Sequence, residues 1–271
     1  MRPTILLILC IAFVALIGGC SREKAVALSV EFPGNRQFRY SIDASVHGSI
    51  TSIDTIRSFE SSAQCTLTCV GNTKNKAMFH AIVAFAKFNS TILGKDELDN
   101  LTQQAREVKL LCDLGKATIV PDGSTDLPLI RIGEWDVFTD LLKALPALPN
   151  MNVKKGASWD REKTIPLDTR QGKATGHMYQ SFKLDSIYLS PKKHILAHIL
   201  WDFTYQIDIH DRDSLKILDR MPSRGVGKGQ AFFDVTEKRL DFARASFSVP
   251  QANEGLYKIS WNEIISLRFV Q

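Results

Sequence analysis

The chain has 271 residues, 44% of them hydrophobic and 23% charged, with a formal net charge of +5. This is ordinary globular composition, which excludes collagen-like and wholly disordered chains. The small positive excess is dispersed, and neither a basic stripe nor a recognisable module marks a nucleic-acid binder.

The first element is an export signal. Arg2 precedes an apolar run from Ile5 to Ile17, and Gly18-Gly19-Cys20 follows. A positive start, a short apolar core and small residues before a cut are the three parts of a secretory signal peptide. The run is about a dozen residues, whereas a spanning helix needs about 20. The end of this segment, Ile17-Gly18-Gly19-Cys20, resembles the lipobox of bacterial lipoproteins. It departs from the usual pattern in carrying isoleucine three places before the cysteine, with Leu16 one place earlier. The resemblance implies that the Cys20 thiol receives a diacylglycerol, that the chain is cut before it, and that the new amino group is acylated with a fatty acid such as palmitate. More than one acyl chain makes stable membrane attachment. Ser21 follows where an aspartate would favour retention in the inner membrane, so the resemblance implies the outer membrane, facing the periplasm. The expected organisation is a signal peptide over 1–19, a lipidated cysteine, short tether and first strand over 20–34, and a single β-rich domain over 35–271.

From Phe38 the pattern alternates. Phe38, Tyr40, Ile42, Ala44 and Val46 share one face, and Arg39, Ser41, Asp43, Ser45 and His47 the other. That is a half-buried antiparallel strand. A β-branched run from Ile53 to Val70, a turn at Gly71-Asn72-Thr73-Lys74-Asn75, and alternation from Ala77 to Phe85 read as a hairpin. Residues 94–108 read as a short helix or an excursion. Strands follow at Val108–Leu114 and Ala117–Val120, ending at Pro121-Asp122-Gly123. Trp135, Phe138, Leu141, Leu142 and Leu145 fall at helical spacing, and Pro146 ends the predicted helix.

The second half is again β. Tyr179–Leu189 is followed by a turn at Pro191-Lys192-Lys193. Ile195, Ala197, Ile199, Trp201, Phe203 and Tyr205 then alternate over a long strand. Asp208 to Asp213 reads as a charged turn, and Gly225-Val226-Gly227-Lys228-Gly229 as flexible turn glycine leading into Ala231–Val235. Leu240–Val249 and a last strand holding Ile264, Leu267 and Phe269 complete the chain. Strands, a helix, then strands, without βαβ alternation, argue against a parallel sheet. The expected fold class is mainly β (α+β): a large curved antiparallel sheet or incomplete barrel with one or two helices packed on it. The order of these elements, with Gly156-Ala157-Ser158-Trp159 and Gly229-Gln230-Ala231-Phe232-Phe233-Asp234, resembles a family of bacterial envelope lipoproteins. Their architecture is similar to the lipoprotein-carrier superfamily, an incomplete barrel closed by helices over an apolar cavity. This resemblance spans roughly Phe38 to Gln271 and brings no catalytic residues with it.

The polar constellations carry little chemistry. His194 and His198 stand four apart without the glutamate of a zinc protease, and read as solvent-face histidines of a strand. Asp208, His210, Asp211 and Asp213 lack the glycine and terminal glutamate of a calcium loop. Three glycines at 225, 227 and 229 lack the following helix of a phosphate loop. No serine sits in a Gly-x-Ser-x-Gly elbow, so no nucleophile is named, and neither a metal nor another cofactor is expected. Cys65 and Cys69, four apart on one strand, would have Cα atoms about 13 Å apart, too far to bridge. Cys112 pairing with either of them, or three buried thiols, both remain open.

Trp201, Phe203, Tyr205, Phe182 and Phe247 either line a lipid cavity or form ordinary core. The expected function is a non-enzymatic, lipid-anchored envelope protein that holds an apolar ligand, such as a lipid or acyl chain, in a half-barrel. The alternatives are a structural or adaptor lipoprotein binding another envelope component and, after it, a hydrolase with a spatially assembled site. The expected partners are the membrane, through acylated Cys20, and a hydrophobic ligand.

Overall fold

The computed structural model describes residues 25–31, 38–51, 56–73, 76–90, 107–113, 118–121, 131–132, 135–136, 144–149, 151–169, 172–209, 225–254 and 257–270. Cys20 and the expected signal segment lie outside them, as do 94–106, 137–143 and His210 to Asp213.

The period-2 pattern becomes one open, antiparallel sheet. In chain order its strands are β2 (Arg39–Thr51), β3 (Ile56–Thr73), β4 (Lys76–Ser90), β5 (Glu107–Asp113) and β6 (Thr118–Pro121). From the second half come β10 (Ser158–Thr169), β11 (Gly172–Leu189), β12 (Ile195–Ile209), β13 (Gly225–Asp234), β14 (Arg239–Glu254) and β15 (Tyr257–Phe269). Eleven strands lie in the order β10-β11-β12-β13-β14-β15-β2-β3-β4-β5-β6. Each pair but one joins strands that follow each other in the chain. The exception is β15 on β2, with Glu263 opposite Val46, which welds the two halves into one sheet. Two small sheets stand apart: β1 (Val26–Ala27) pairs with β9 (Asn152–Val153), and β7 (Arg131–Ile132) with β8 (Trp135–Asp136).

One face of the large sheet, the inner face, is apolar and buried. The predicted set Phe38, Tyr40, Ile42, Ala44 and Val46 lies there, with Cys65 and Leu67 of β3 and Phe79 of β4. From the other half come Met178, Phe182 and Leu184, then Ala197, Ile199, Trp201, Phe203 and Tyr205, Ala231, Phe233, Ala243, Ala245, Phe247 and Val249, Ile265 and Leu267. Val26, Leu28, Ala144, Leu145, Ala147 and Val153, all outside the large sheet, join the same cluster. Each large side chain buried this way contributes about 1.5–3 kcal/mol. The alternation therefore does more for stability than any polar contact on the outer face.

Three sequence expectations need correcting. Trp135 and Asp136 are strand residues of β8, not the start of a helix, and Ala144 is the helical residue before the chain reaches Pro146. A two-residue strand pairs them with Arg131 and Ile132, a local alternative that helical spacing alone does not reveal. Asp208 belongs to β12, which runs on to Ile209. Gly225, Gly227 and Gly229 are not turn residues: all three lie within β13. The predicted turn at Pro191-Lys192-Lys193 is present, with Lys193 at φ 63. Cys65 and Cys69 are both buried. Burial, and secondarily Asp43, pushes the Cys65 thiol up to about 12.

Candidate functional site

The glycine stripe explains how the inner face is furnished. Gly229 pairs with Trp201 and Gly227 with Phe203 across β12–β13, while Gly227 pairs with Phe247 across β13–β14. Without side chains of their own, these glycines let the neighbouring rings fold flat over β13. A Cβ on Gly229 would fall inside the Trp201 indole, one on Gly227 inside the Phe203 ring, and one on Gly225 inside the Phe247 ring. Gly176 of β11 likewise lies under Tyr205. The result is an aromatic wall across β10 to β14. Trp159 stacks on Phe182 at 5.6 Å and 10°, and Phe182 meets Trp201 at 5.7 Å. Phe203 stacks on Phe247 at 5.8 Å and 8°, with Tyr205 edge-on to Phe247. All five residues singled out from the sequence, Trp201, Phe203, Tyr205, Phe182 and Phe247, thus lie buried on one face in one wall.

The wall changes character toward the free edge of the sheet. Among the described residues β10 has one sheet neighbour, β11. Its inward residues Trp159, Arg161 and Lys163 are partly exposed, while Met178, Gln180 and Phe182 opposite them are buried. Trp159 Nε1 donates to the Ala147 carbonyl at 2.6 Å and ties segment 144–149 over this end. Gln180 is only 2% exposed, and neither its Oε1 nor its Nε2 has a hydrogen-bond partner. A buried unpaired amide costs about 1–3 kcal/mol, and native interiors rarely tolerate one.

Lys163 is held down to about 8 by burial and, secondarily, by Arg161 two residues away on the same face. An unfolded lysine titrates near 10.4. Between these values the unfolded chain binds more protons than the folded one, so stability from this group rises with pH and is lost as pH falls through about 8. The Cys65 thiol acts oppositely above its ordinary value, because the unfolded chain then releases a proton that the folded chain keeps. The measurement is therefore a difference: relative to Lys163→Met, the wild-type chain gains urea resistance between pH 8 and 10. Parallel pH profiles would contradict it.

The outer face carries a trough of about 1210 Å³ running across β10 to β15. Its floor is a single register row, Arg161, Gln180, Phe203, Gly227, Phe247 and Glu263, whose side chains point inward. Asp160, Ser181, Asp202, Lys228, Ser246 and Ile264 form one wall, and Glu162, Tyr179, Thr204, Val226, Ser248 and Asn262 the other. Several of these groups engage one another: Ser181 Oγ donates to Asp160 at 2.6 Å, and Lys228 meets Asp202 at 3.7 Å. A hydrogen bond to Glu162 raises the Tyr179 phenol above its ordinary value.

The two histidines are not bare surface groups. His194 Nδ1 lies 2.7 Å from Asp234 Oδ2, and Asp234 is 0% exposed. Asp234 also accepts from the Glu237 backbone N–H at 2.9 Å and faces Arg239 at 3.8 Å. Ser190 Oγ accepts from the His194 backbone N–H at 3.1 Å. His198 reaches Asp185 at 3.3 Å and stacks on Phe232 at 4.6 Å. The His198 hydrogen bond holds the exposed Asp185 carboxyl below its ordinary value. Asp185 is the extra residue of a β-bulge between Leu184 and Ser186, which is why it turns toward a neighbour that strict alternation would deny it. Among the described residues no group of three His, Cys, Asp or Glu side chains could hold a metal ion. None of the described helices is long and apolar enough to cross a membrane.

No family model and no curated protein matches this chain. Among solved structures, the chain is similar over 89% of its length, at 11% identity and a TM-score of 0.43, to a chain from a study of lipid–protein interactions in lipovitellin. It spans about a quarter (26%) of that chain. Two further likenesses are to OccK5 (OpdH) of Pseudomonas aeruginosa, at 5% identity and TM-score 0.20 over 86% of this chain and 98% of that one, and to a DUF1329 family protein from Desulfovibrio piger, at 9% identity and TM-score 0.14 over 85% of each. With every TM-score under 0.5, none of these likenesses shows a shared fold.

Proposed function

We propose that this is a non-enzymatic, lipid-anchored cell-envelope protein that shelters an amphipathic ligand against the inner face of its open sheet. The observation that carries the reading is the β10 edge, where a buried aromatic wall meets solvent under a strand with one sheet neighbour among the described residues. Burial of the ligand's acyl chain supplies the affinity, at about 0.8 kcal/mol per methylene before ordering costs. Segment 144–149, tied by Trp159 to this end of the wall, is the cover that yields to the chain. No covalent step is required. The histidines brace the sheet: His194 its turns through Asp234, and His198 the β11 bulge through Asp185.

Attachment is assigned to Cys20, through the lipobox resemblance of Ile17-Gly18-Gly19-Cys20, with the outer membrane's periplasmic side as the location. Two measurements on the full chain test the proposal. Native mass spectrometry after gentle extraction is expected to show co-purifying amphiphile, and repeated bare protein counts against the ligand role. Labelling cells with radioactive palmitate is expected to mark the wild-type chain and not Cys20→Ala, and equal label in both removes the anchor. The outer trough favours a second reading, an adaptor whose outer face receives another envelope component. In that case Val226→Asp, on the trough wall, would abolish the association without changing ligand retention.

A further inference from the structure

Among the described residues, Gln180 is a polar side chain of the inner face that apolar packing does not explain. Gln180 points into the aromatic wall, buried to 2% exposure, and both of its amide atoms lack hydrogen-bond partners. Arg161 lies directly opposite it on β10, and Lys163, opposite Met178, is the next inward residue. Paired Cβ atoms across an antiparallel ladder are about 4.5–5.5 Å apart, so long side chains on one face converge. Two cations and an amide therefore gather where the wall meets solvent. The apolar residues beside them are Phe182 and Phe203, on the same strand as Gln180 and on the next.

Resting on the ligand role proposed above, we infer that Arg161, Lys163 and Gln180 form the head-group site of that ligand, and that the head group is an anionic oxygen group, a carboxylate or a phosphate. The guanidinium and ammonium face the anion, and the Gln180 Nε2 donates to one of its oxygens. Gln180 Oε1 then takes a ligand hydroxyl or a water. The acyl chain runs from this point along Phe182, Trp201 and Phe203. Two cations held together by the fold on a half-buried face attract an anion placed between them from both sides. Burying a single charged amphiphile head without such partners would be prohibitive, which is why the cations sit at the mouth rather than deeper in the wall.

The test uses the delipidated full chain and three probes of matched acyl length: palmitic acid, monopalmitoylglycerol phosphate and uncharged monopalmitoylglycerol. Brominated versions of each chain quench tryptophan, and the part of the quenching that is lost in Trp201→Phe reports whether the chain reaches Trp201. The acid or the phosphate is expected to bind at least tenfold more tightly than the uncharged glyceride, and the tighter of the two identifies the anion. Gln180→Leu and Lys163→Gln are each expected to weaken anion binding about tenfold and leave the glyceride unchanged. Gln180→Glu keeps the shape and adds a negative charge, so it should exclude the anions most strongly. If all three probes bind alike and Gln180→Leu merely raises Tm, the amide is only an unsatisfied or water-paired core group; the head-group assignment falls while the ligand role stands. If no probe binds or quenches, the ligand role fails with it.

Discussion

Gly229→Ala is expected to cost about 2–3 kcal/mol of stability, a fall in Tm of roughly 4–12 °C for a domain of this size. The reason is steric. The added Cβ would occupy the place of the Trp201 indole, which pairs with Gly229 across β12–β13 and is held against Phe182. Trp201 cannot retreat cheaply, because the ring is buried and the wall on either side is occupied by Phe182 and Phe203. In the same strand, Lys228→Ala is the control: its side chain is exposed on the outer face and its partner Asp202 is exposed as well, so a change within about 0.5 kcal/mol is expected. A double-mutant cycle separates the contact from generic strand effects. In Gly229→Ala with Trp201→Leu the smaller side chain leaves room for the new methyl, so the two losses should fall short of adding. Thermal unfolding followed by circular dichroism measures all four chains. Additive losses, or an unchanged Tm in Gly229→Ala, would show that the ring does not rest on the glycine.

Asp234→Ala is the second large effect, about 3 kcal/mol read as a lower urea midpoint at constant slope. Asp234 is fully buried and serves three partners at once: His194, the Glu237 backbone N–H and Arg239. It joins the β11–β12 turn to the β13–β14 turn, so its removal loosens two hairpins together. The Glu237 N–H loses its acceptor, which adds the cost of an unpaired backbone donor. Arg239 keeps Asp241 at 2.9 Å, Glu237 at 3.7 Å and the Phe269 ring at 4.1 Å, which limits the loss. Asp234→Asn preserves the acceptor for Glu237 and gives up only the charge, so about half the effect is expected. A midpoint unchanged in both variants would mean that this cluster does not brace the turns.

These two residues also show how much could be read in advance. The aromatic alternation of Trp201, Phe203 and Tyr205 was legible as one face of a strand, because side chains in extended chain alternate by geometry alone. Gly225, Gly227 and Gly229 stand at the same period of two, and that spacing was the available sign that they belong to a strand. Flexible turn glycine was the wrong reading, because the space that a glycine leaves is defined by the neighbouring strand. Asp234 was legible as the end of a hairpin but not as a buried anion. Its partner His194 is forty residues away in the chain, and their contact depends on β12 lying beside β13. The bulges that free Asp185 and Asp241 from the alternation are likewise products of pairing between strands. The start of the expected helix differs for the same kind of reason, since Trp135 and Asp136 pair with Ile132 and Arg131, while 137–143 lie outside the described residues.

What the sequence determined by itself is therefore local: which stretches extend, which of their faces is apolar, and where Pro191-Lys192-Lys193 turns the chain. Extended backbone exposes its pattern one residue at a time, so no distant contact is needed to read it. The tertiary structure alone decided that β15 lies against β2, that β10 pairs with β11 alone among the described residues, and that Arg161, Gln180, Phe203, Gly227, Phe247 and Glu263 fall in one row. Those facts depend on register between segments up to about two hundred residues apart in the chain, where a slip of one residue would turn every side chain to the other face. The candidate site is a product of that register, which is why its aromatic wall was foreseeable and its polar mouth was not.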